Sequence, residues 1–284
     1  HRKSDPETLG YDYQTASTGG GIRFGFPISE KQSLNFGAGL DYTDIEINGD
    51  DPDTPLQYRK FVRKFCSEGA NSCGNLSVPL TASWISDTKD SAINPTRGTY
   101  QRAAFEISPG GDLKYYKATY QHQRFFPLTR NVTLLLNGEV GYAQGLNNQD
   151  MPFFKNFYGG GIGSVRGYET ASLGPYEIDT DGDEVRLGGN KRFIFNAELL
   201  LPLPGFGADK SMRWGPFFDA GQVYSDDVKD DPGVVDGGAV RMSAGVALTW
   251  FSPMGPLKFS FAQPLNKKKN DSIQRFQFQI GTVF

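Results

Sequence analysis

Apolar and polar side chains alternate with a period of two along most of this chain, and the alternation recurs too often to belong to a helical protein. From Arg241 to Trp250 the even positions are Met242, Ala244, Val246, Leu248 and Trp250, while the odd ones are Arg241, Ser243, Gly245, Ala247 and Thr249. Between Val132 and Tyr142 the apolar set is Val132, Leu134, Leu136, Val140 and Tyr142, opposite Thr133, Asn137, Glu139 and Gly141. The end of the chain repeats the pattern: Phe276, Phe278, Ile280 and Phe284 alternate with Arg275, Gln277, Gln279 and Gly281. Comparable segments lie at 22–28, 34–42, 76–84, 99–107, 115–125, 193–201, 214–224 and 257–263, so the pattern predicts eleven strands.

The second face of these strands decides the architecture. A soluble sandwich would line it with Lys and Glu; here it carries Gly, Ser, Thr, Asn and Gln with isolated charges. That composition suits a wet, enclosed lumen behind a lipid-facing exterior. Aromatic residues gather at strand ends (Phe125–Phe126, Tyr142, Tyr224, Trp250–Phe251), as in the girdles at membrane interfaces. The connections alternate too. Short turns follow Phe26, Phe126 and Phe251, and long polar links occupy 48–75, 144–190 and 225–240; on the long side 108–114 and 266–272 are shorter, and on the short side 87–98 and 202–211 are longer than tight turns. The prediction is an all-β, antiparallel, up-and-down transmembrane barrel with its last residue on the short-turn, periplasmic side. Eleven strands cannot close antiparallel, because the first and last would run the same way; a twelfth near 1–13 would permit closure at a smaller radius.

Composition narrows the functions. The 29 Lys and Arg are balanced by 32 Asp and Glu, giving a net charge of −3 and no basic footprint for nucleic acid. The 35 Gly and 17 Pro fit strands and turns rather than helices. No stretch reaches the about 20 apolar residues of a spanning helix, which leaves a membrane barrel open because its apolar band is hidden in alternation. The chain opens at His1 without a Met or a cationic-then-apolar leader and reads as a mature protein or a fragment. Cys66 and Cys73 stand close together in a polar stretch, which suits a disulfide closing an extracellular loop.

Candidate chemistry is sparse. The run 179–184 resembles the start of a calcium loop but lacks the spaced bidentate Glu, and reads as a solvated part of the loop. His122 is the one internal histidine, with no nucleophile elbow to accompany it, so no enzyme activity, metal or cofactor is expected. The longest link contains Phe157-Tyr158-Gly159-Gly160-Gly161-Ile162-Gly163-Ser164-Val165-Arg166-Gly167-Tyr168. No Walker Lys-Ser/Thr follows these glycines, which argues against phosphate binding. The segment reads instead as a loop folding back to aim Arg166 into a confined space, where the cation needs a carboxylate partner.

This stretch, with its Val165-Arg166-Gly167-Tyr168 core, resembles the lumen-inserted sixth extracellular loop of the BamA family of outer-membrane β-barrel assembly factors, within a wider insertase and secretion superfamily. Phe217-Phe218-Asp219-Ala220-Gly221, Arg241-Met242-Ser243-Ala244-Gly245, Ser252-Pro253-Met254-Gly255-Pro256-Leu257 and the terminal segment from Gln274 match as well. The resemblance implies that 1–284 is the C-terminal part of a sixteen-stranded barrel domain, beginning near its fifth or sixth strand, with the periplasmic polypeptide-transport-associated domains and the first strands absent. It implies a lumen latch in which Arg166 meets Glu198 and Asp219, and parity independently turns both carboxylates inward. It implies a seam in which the terminal strand, with Phe276, Phe278 and Phe284 and weakened or bent at Gly281, faces the first. The implied function is assembly and insertion of β-barrel proteins into the bacterial outer membrane. The implied partners are unfolded outer-membrane protein clients, lipoprotein subunits reached through the periplasmic domains, and outer-membrane lipid, with no nucleic acid. The alternatives are a two-partner secretion pore of the same superfamily and a passive porin.

Overall fold

The computed structural model describes residues 2–4, 13–47, 54–65, 72–178, 180, 182, 184–205, 211–228, 230–252 and 255–281. Its backbone is dominated by one thirteen-stranded antiparallel sheet. The wall runs β1 (Arg2–Ser4), β2 (Tyr13–Ser29), β3 (Gln32–Ile47), then, past β4 (Ser72–Ser77), β5 (Leu80–Asp87), β6 (Gly98–Ser108), β7 (Tyr115–Pro127) and β8 (Thr133–Gly145). Beyond the longest loop, which holds the short strands β9 (Gly167–Tyr168), β10 (Tyr176–Ile178) and β11 (Glu184–Arg186), it continues with β12 (Lys191–Pro202) and β13 (Met212–Tyr224). The next loop contains β14 (Val234–Val235); the wall then ends with β15 (Arg241–Ser252), β16 (Gly255–Pro264) and β18 (Phe276–Ile280), with β17 (Ile273–Gln274) just ahead of the last. Each wall strand pairs with its sequence neighbours, the up-and-down order that the alternation predicts, and β1 supplies the twelfth position in the path. Among the described residues no ladder joins β1 to β18, so both are sheet edges.

Parity places the side chains as a membrane barrel requires. Ile22, Phe24, Phe26 and Ile28 on β2, Phe36, Leu40 and Tyr42 on β3, and Phe276, Phe278 and Ile280 on β18 all stand exposed on the outer face. Inward positions of the wall include the polar residues Asp219, Ser243, Ser260 and Gln277, each buried. A spanning strand in lipid must satisfy its backbone internally, and the continuous ladder does this for every strand except at the two edges.

Two expectations are corrected. The segment 76–84 is two strands, β4 and β5, separated by Val78 and Pro79. Proline has no N–H for the ladder; the Pro79 carbonyl accepts from Gly39 N–H at 3.0 Å, and Val78 N–H donates to Ser108 Oγ at 3.1 Å. Two residues on β3 match the two skipped, so register is kept from Asp41↔Ser77 to Ala38↔Leu80. The link 48–75 contains a helix, α1 (Leu56–Phe65), whose buried residues Tyr58, Phe61 and Val62 follow the i, i+3, i+4 spacing of one face. Its first turn is capped from a distance, Leu56 N–H donating to Glu177 Oε2 at 3.1 Å. That carboxylate satisfies an otherwise orphaned donor at the positive end of the helix. Tyr58 stacks on Phe153 at 4.2 Å between ring centroids, and Phe61 meets Phe153 edge-on at 5.3 Å. With Ile45, Leu113, Tyr115, Met151 and Phe157 they form an apolar cluster that domes the long-loop end of the barrel.

The short-turn end has a crosspiece. The turn 88–97 between β5 and β6 reaches β13, where the buried Arg213 donates to the carbonyls of Pro95 (2.8 Å) and Asn94 (3.3 Å). The turn is folded around Asp90, whose carboxylate accepts from the Thr96 hydroxyl and the Thr96 and Arg97 amides. Slight burial pushes the Asp90 carboxyl up, but these hydrogen bonds win and hold it at about 2, against an ordinary 3.8. A folded-state value below the unfolded one means that this contribution is complete above about pH 4 and is lost as pH falls through 2. Amide hydrogen exchange should therefore show Thr96 and Arg97 protected at pH 5 and progressively unprotected towards pH 2. Asp90→Asn should remove that pH dependence.

Candidate functional site

The longest loop leaves β8, turns through a 3-10 segment at Phe153–Lys155, and dips into the lumen. Glycine makes that course possible at two kinds of position. Gly167 has φ +88°, a left-handed conformation, and a Cβ there would lie 3.0 Å from the Ala262 Cβ on β16. Gly221 on β13 has ordinary dihedrals, but a Cβ would strike Val165 Cγ2 and Ile194 Cδ1 at 2.8 Å. The wall must be bare at Gly221 for Val165 to seat, and Val165 packs there with Tyr168, Leu173 and Ile194.

With its neighbours so fixed, Arg166 is aimed at the facing wall. Its Nε donates to Asp219 Oδ2 at 2.7 Å, its Nη2 to Asp219 Oδ1 at 2.8 Å, and its Nη1 to Glu198 Oε2 at 2.7 Å. Its own backbone N–H also donates to Asp219 Oδ2, at 3.0 Å. The guanidinium lies over the Phe217 ring, 3.4 Å from the centroid. The structure thus brings Arg166, Glu198 and Asp219 together, with Asp219 fully buried and Arg166 7% exposed. The Asp219 contact is a two-pronged fork and the Glu198 contact a single bond, so Asp219 carries more of the hold.

A polar ribbon extends the cluster along the wall. Asn196 Nδ2 donates to Asp219 Oδ1 (2.9 Å) and to the Ser164 carbonyl (2.7 Å), while its Oδ1 accepts from Asn137 Nδ2 (2.8 Å). Gln121 Nε2 donates in turn to Asn137 Oδ1 at 3.0 Å. Asn196 shares the inward parity of Glu198 two residues on, a signal that the sequence reading did not use. Farther along the loop, Arg192 pairs with Glu139 and donates to the Tyr158 carbonyl at 3.1 Å.

The next two residues of the motif reach the last strand. Gly167 and Tyr168 form β9, paired with Gln274 and Ile273 of β17. Gln277, inward on β18, donates from Nε2 to the Tyr168 carbonyl at 2.8 Å and accepts from Gly167 N–H at 3.3 Å. Tyr168, fully buried, donates its hydroxyl to the Met242 carbonyl at 3.3 Å. A second buried ion pair steadies this hairpin: Arg241 grips Asp271 through Nε (2.7 Å) and Nη2 (2.8 Å). Phe276 and Phe278 point outward, 57% and 63% exposed, and the strand stops at Ile280, before Gly281 at φ +86°. Cys73 lies on β4 and is disulfide-bonded. Cys66, Phe284, Asp179, Asp181 and Asp183 lie outside the described residues.

Removing one partner from a buried charge cluster strands the other charge. Asp219→Ala should therefore destabilise the fold by about 3–5 kcal/mol. Glu198→Gln, which keeps a hydrogen-bonding side chain at a wetter position, should cost about 1 kcal/mol. Urea unfolding of the two variants in lipid vesicles measures both, and a larger loss for Glu198→Gln would refute the assignment of Asp219 as the main anchor.

The chain is 41% identical to the outer membrane protein assembly factor BamA of Neisseria meningitidis over 96% of its own length, and spans 37% of that relative. It is 29% identical to the BamA of Nitratidesulfovibrio vulgaris, again over 96% of this chain and 32% of the relative. The crystal structure of Haemophilus ducreyi BamA lacking POTRA domains 1-3 matches with a TM-score of 0.82 at 27% identity, covering 94% of this chain and 54% of that one. These relatives place the chain in the bacterial outer membrane. The family model described as the Omp85 superfamily domain matches residues 3–284, and the chain belongs to that superfamily.

Proposed function

We propose that the chain is the C-terminal part of the barrel of an outer-membrane insertase, which folds and inserts unfolded β-barrel clients without covalent catalysis. The observation that carries this is the junction of two features in one place. Among the described residues the strand β18 is paired to β16 on one side alone, and the pinned loop holds that edge on its lumen face through Gln277 and β17. An unfolded strand entering lipid cannot leave its backbone unpaired. An edge that offers N–H and C=O groups at membrane depth supplies the missing partners one strand at a time. The outward Phe276, Phe278 and Ile280 keep the template facing lipid, so a client strand added beside them adopts the correct alternation. The 41% identity to a protein named as an assembly factor supports the same reading. Clients would then be outer-membrane β-barrel proteins, and the machinery's lipoprotein subunits would engage portions of the protein outside this chain.

Reconstitution tests the proposal. The full-length protein in liposomes should accelerate the folding of a urea-denatured outer-membrane barrel relative to protein-free liposomes, with the client recovered in the bilayer. Asp219→Ala should slow that insertion. A client recovered as soluble protein inside the vesicles would instead identify a secretion pore and overturn the insertase reading.

A further inference from the structure

The outer face of β5, β6 and β7 carries a group of small side chains at cross-strand positions. Paired positions there carry small side chains, Ala82 opposite Phe105, Ala103 opposite Trp84 and Tyr120, and Ala118 opposite Phe105. They leave a shallow apolar depression of about 350 Å³, bordered by Leu34, Trp84 and Phe105. The depression lies towards the short-turn end, since Trp84 is three residues from the end of β5.

Polar groups stand just beyond it on the same outward parity. Tyr120 donates its hydroxyl to Gln101 Oε1 at 2.9 Å and lies 3.4 Å from His122 Nδ1. Arg124, the next outward residue on β7 and exposed, sits opposite Leu136 of β8 and Thr99 of β6. Its guanidinium rests on the Phe126 ring at 4.6 Å, and among the described residues no carboxylate pairs with it. The contrast with Arg166, Arg192 and Arg241, each ion-paired inside the barrel, is direct. A cation on the lipid face of a barrel is costly unless an anion meets it. Arg124 lies three residues, about 10 Å, from the short-turn end of β7, and the anion that a bilayer offers near a strand end is a lipid phosphate.

We propose that this face binds an anionic glycerophospholipid of the periplasm-facing leaflet. Arg124 receives its phosphate through the planar guanidinium fork, the Gln101–Tyr120–His122 group lies beside the headgroup, and one acyl chain occupies the alanine-floored depression. The alanines lie four to six residues from Arg124 along the same outward face, about 13–20 Å, a distance that an acyl chain running from the bound phosphate spans. The depression and the cation together fit neither a free anion nor a purely apolar partner.

The test uses full-length protein carrying Trp84 as its sole tryptophan, in phosphatidylcholine vesicles with increasing fractions of brominated phosphatidylglycerol. A parallel series uses brominated phosphatidylcholine. Phosphatidylglycerol should quench Trp84 at a roughly fivefold lower fraction, the preference expected of one arginine at a membrane surface. Arg124→Gln should abolish the preference, Arg124→Lys should keep most of it, and Ala103→Phe, which fills the depression, should weaken quenching by both lipids. Three results would overturn the proposal: equal quenching by both lipids in the parent protein, a preference that survives Arg124→Gln, or no quenching at all, which would mean that protein covers the face.

Discussion

A guanidinium enclosed by a barrel wall has no bulk water to solvate it, so the whole path of the longest loop is answerable to the charge of Arg166. Asp219 takes it in a fork, Glu198 takes one further donor, and Phe217 closes the underside. Each of these sits on β12 or β13, neighbours in the wall, with Asn196 opposite Asp219 in register to hold the carboxylate. Among the described residues no other ion pair reaches either carboxylate. Loop and wall are therefore mutually required: an emptied loop strands two acids, and a neutralised wall strands a buried cation. Gly167 and Gly221 are the steric conditions for this arrangement, one for the turn and one for the close approach.

Much of this was legible because period-two alternation carries its own geometry. Once Phe193, Ala197 and Leu199 are assigned to lipid, Glu198 has to point inward, and the same holds for Asp219 between Phe218 and Ala220. What alternation cannot show is pairing between segments distant in sequence. Gln277 looks like any other lumen amide in Phe276-Gln277-Phe278; its role follows from where Tyr168, 109 positions away, brings its carbonyl. The break at Pro79 was readable from proline's missing donor, but the strong alternation on both sides concealed it. Helix α1 was readable too, since Tyr58, Phe61, Val62 and Phe65 keep helical spacing. In a chain otherwise made of strands, the polarity of the surrounding link outweighed that short signal.

The dome above the lumen shows why long loops on this side can be ordered. The helix of one loop is capped by Glu177 of another, its aromatic face rests on Phe153 of the same second loop, and Lys60 reaches Asp231 of a third. The apolar contacts that hold these loops run between them and the wall rather than within any one of them. The cluster joining Tyr58, Phe61, Met151 and Phe153 to wall residues Ile45 and Tyr115 holds them collectively. The electrostatic contact between Lys60 and Asp231 is half-exposed on the lysine side and adds little. The aromatic packing dominates, which leaves the ion pair the lesser task of orienting the loops.

The terminal strand combines precise register with a small ladder, and the combination has a physical consequence for the proposed activity. Among the described residues strand β18 is matched to β16 over five residue pairs, from Leu257↔Ile280 to Phe261↔Phe276, with one backbone bond beyond each end (Gly281 N–H to the Pro256 carbonyl, Ala262 N–H to the Arg275 carbonyl), whereas β15 and β16 share ten. A ladder that short resists separation weakly. A slip by one residue, however, would turn Phe276 and Phe278 into the lumen and Gln277 into lipid. Gln277, bonded to the backbone of Gly167 and Tyr168, opposes such a slip, and the loop that bears those residues is fixed in turn by Arg166. The latch thus fixes the register of the edge while adding nothing to the hydrogen bonds along the edge itself. A template that must pair with a succession of client strands, and release them, needs the first property more than it needs a long permanent ladder.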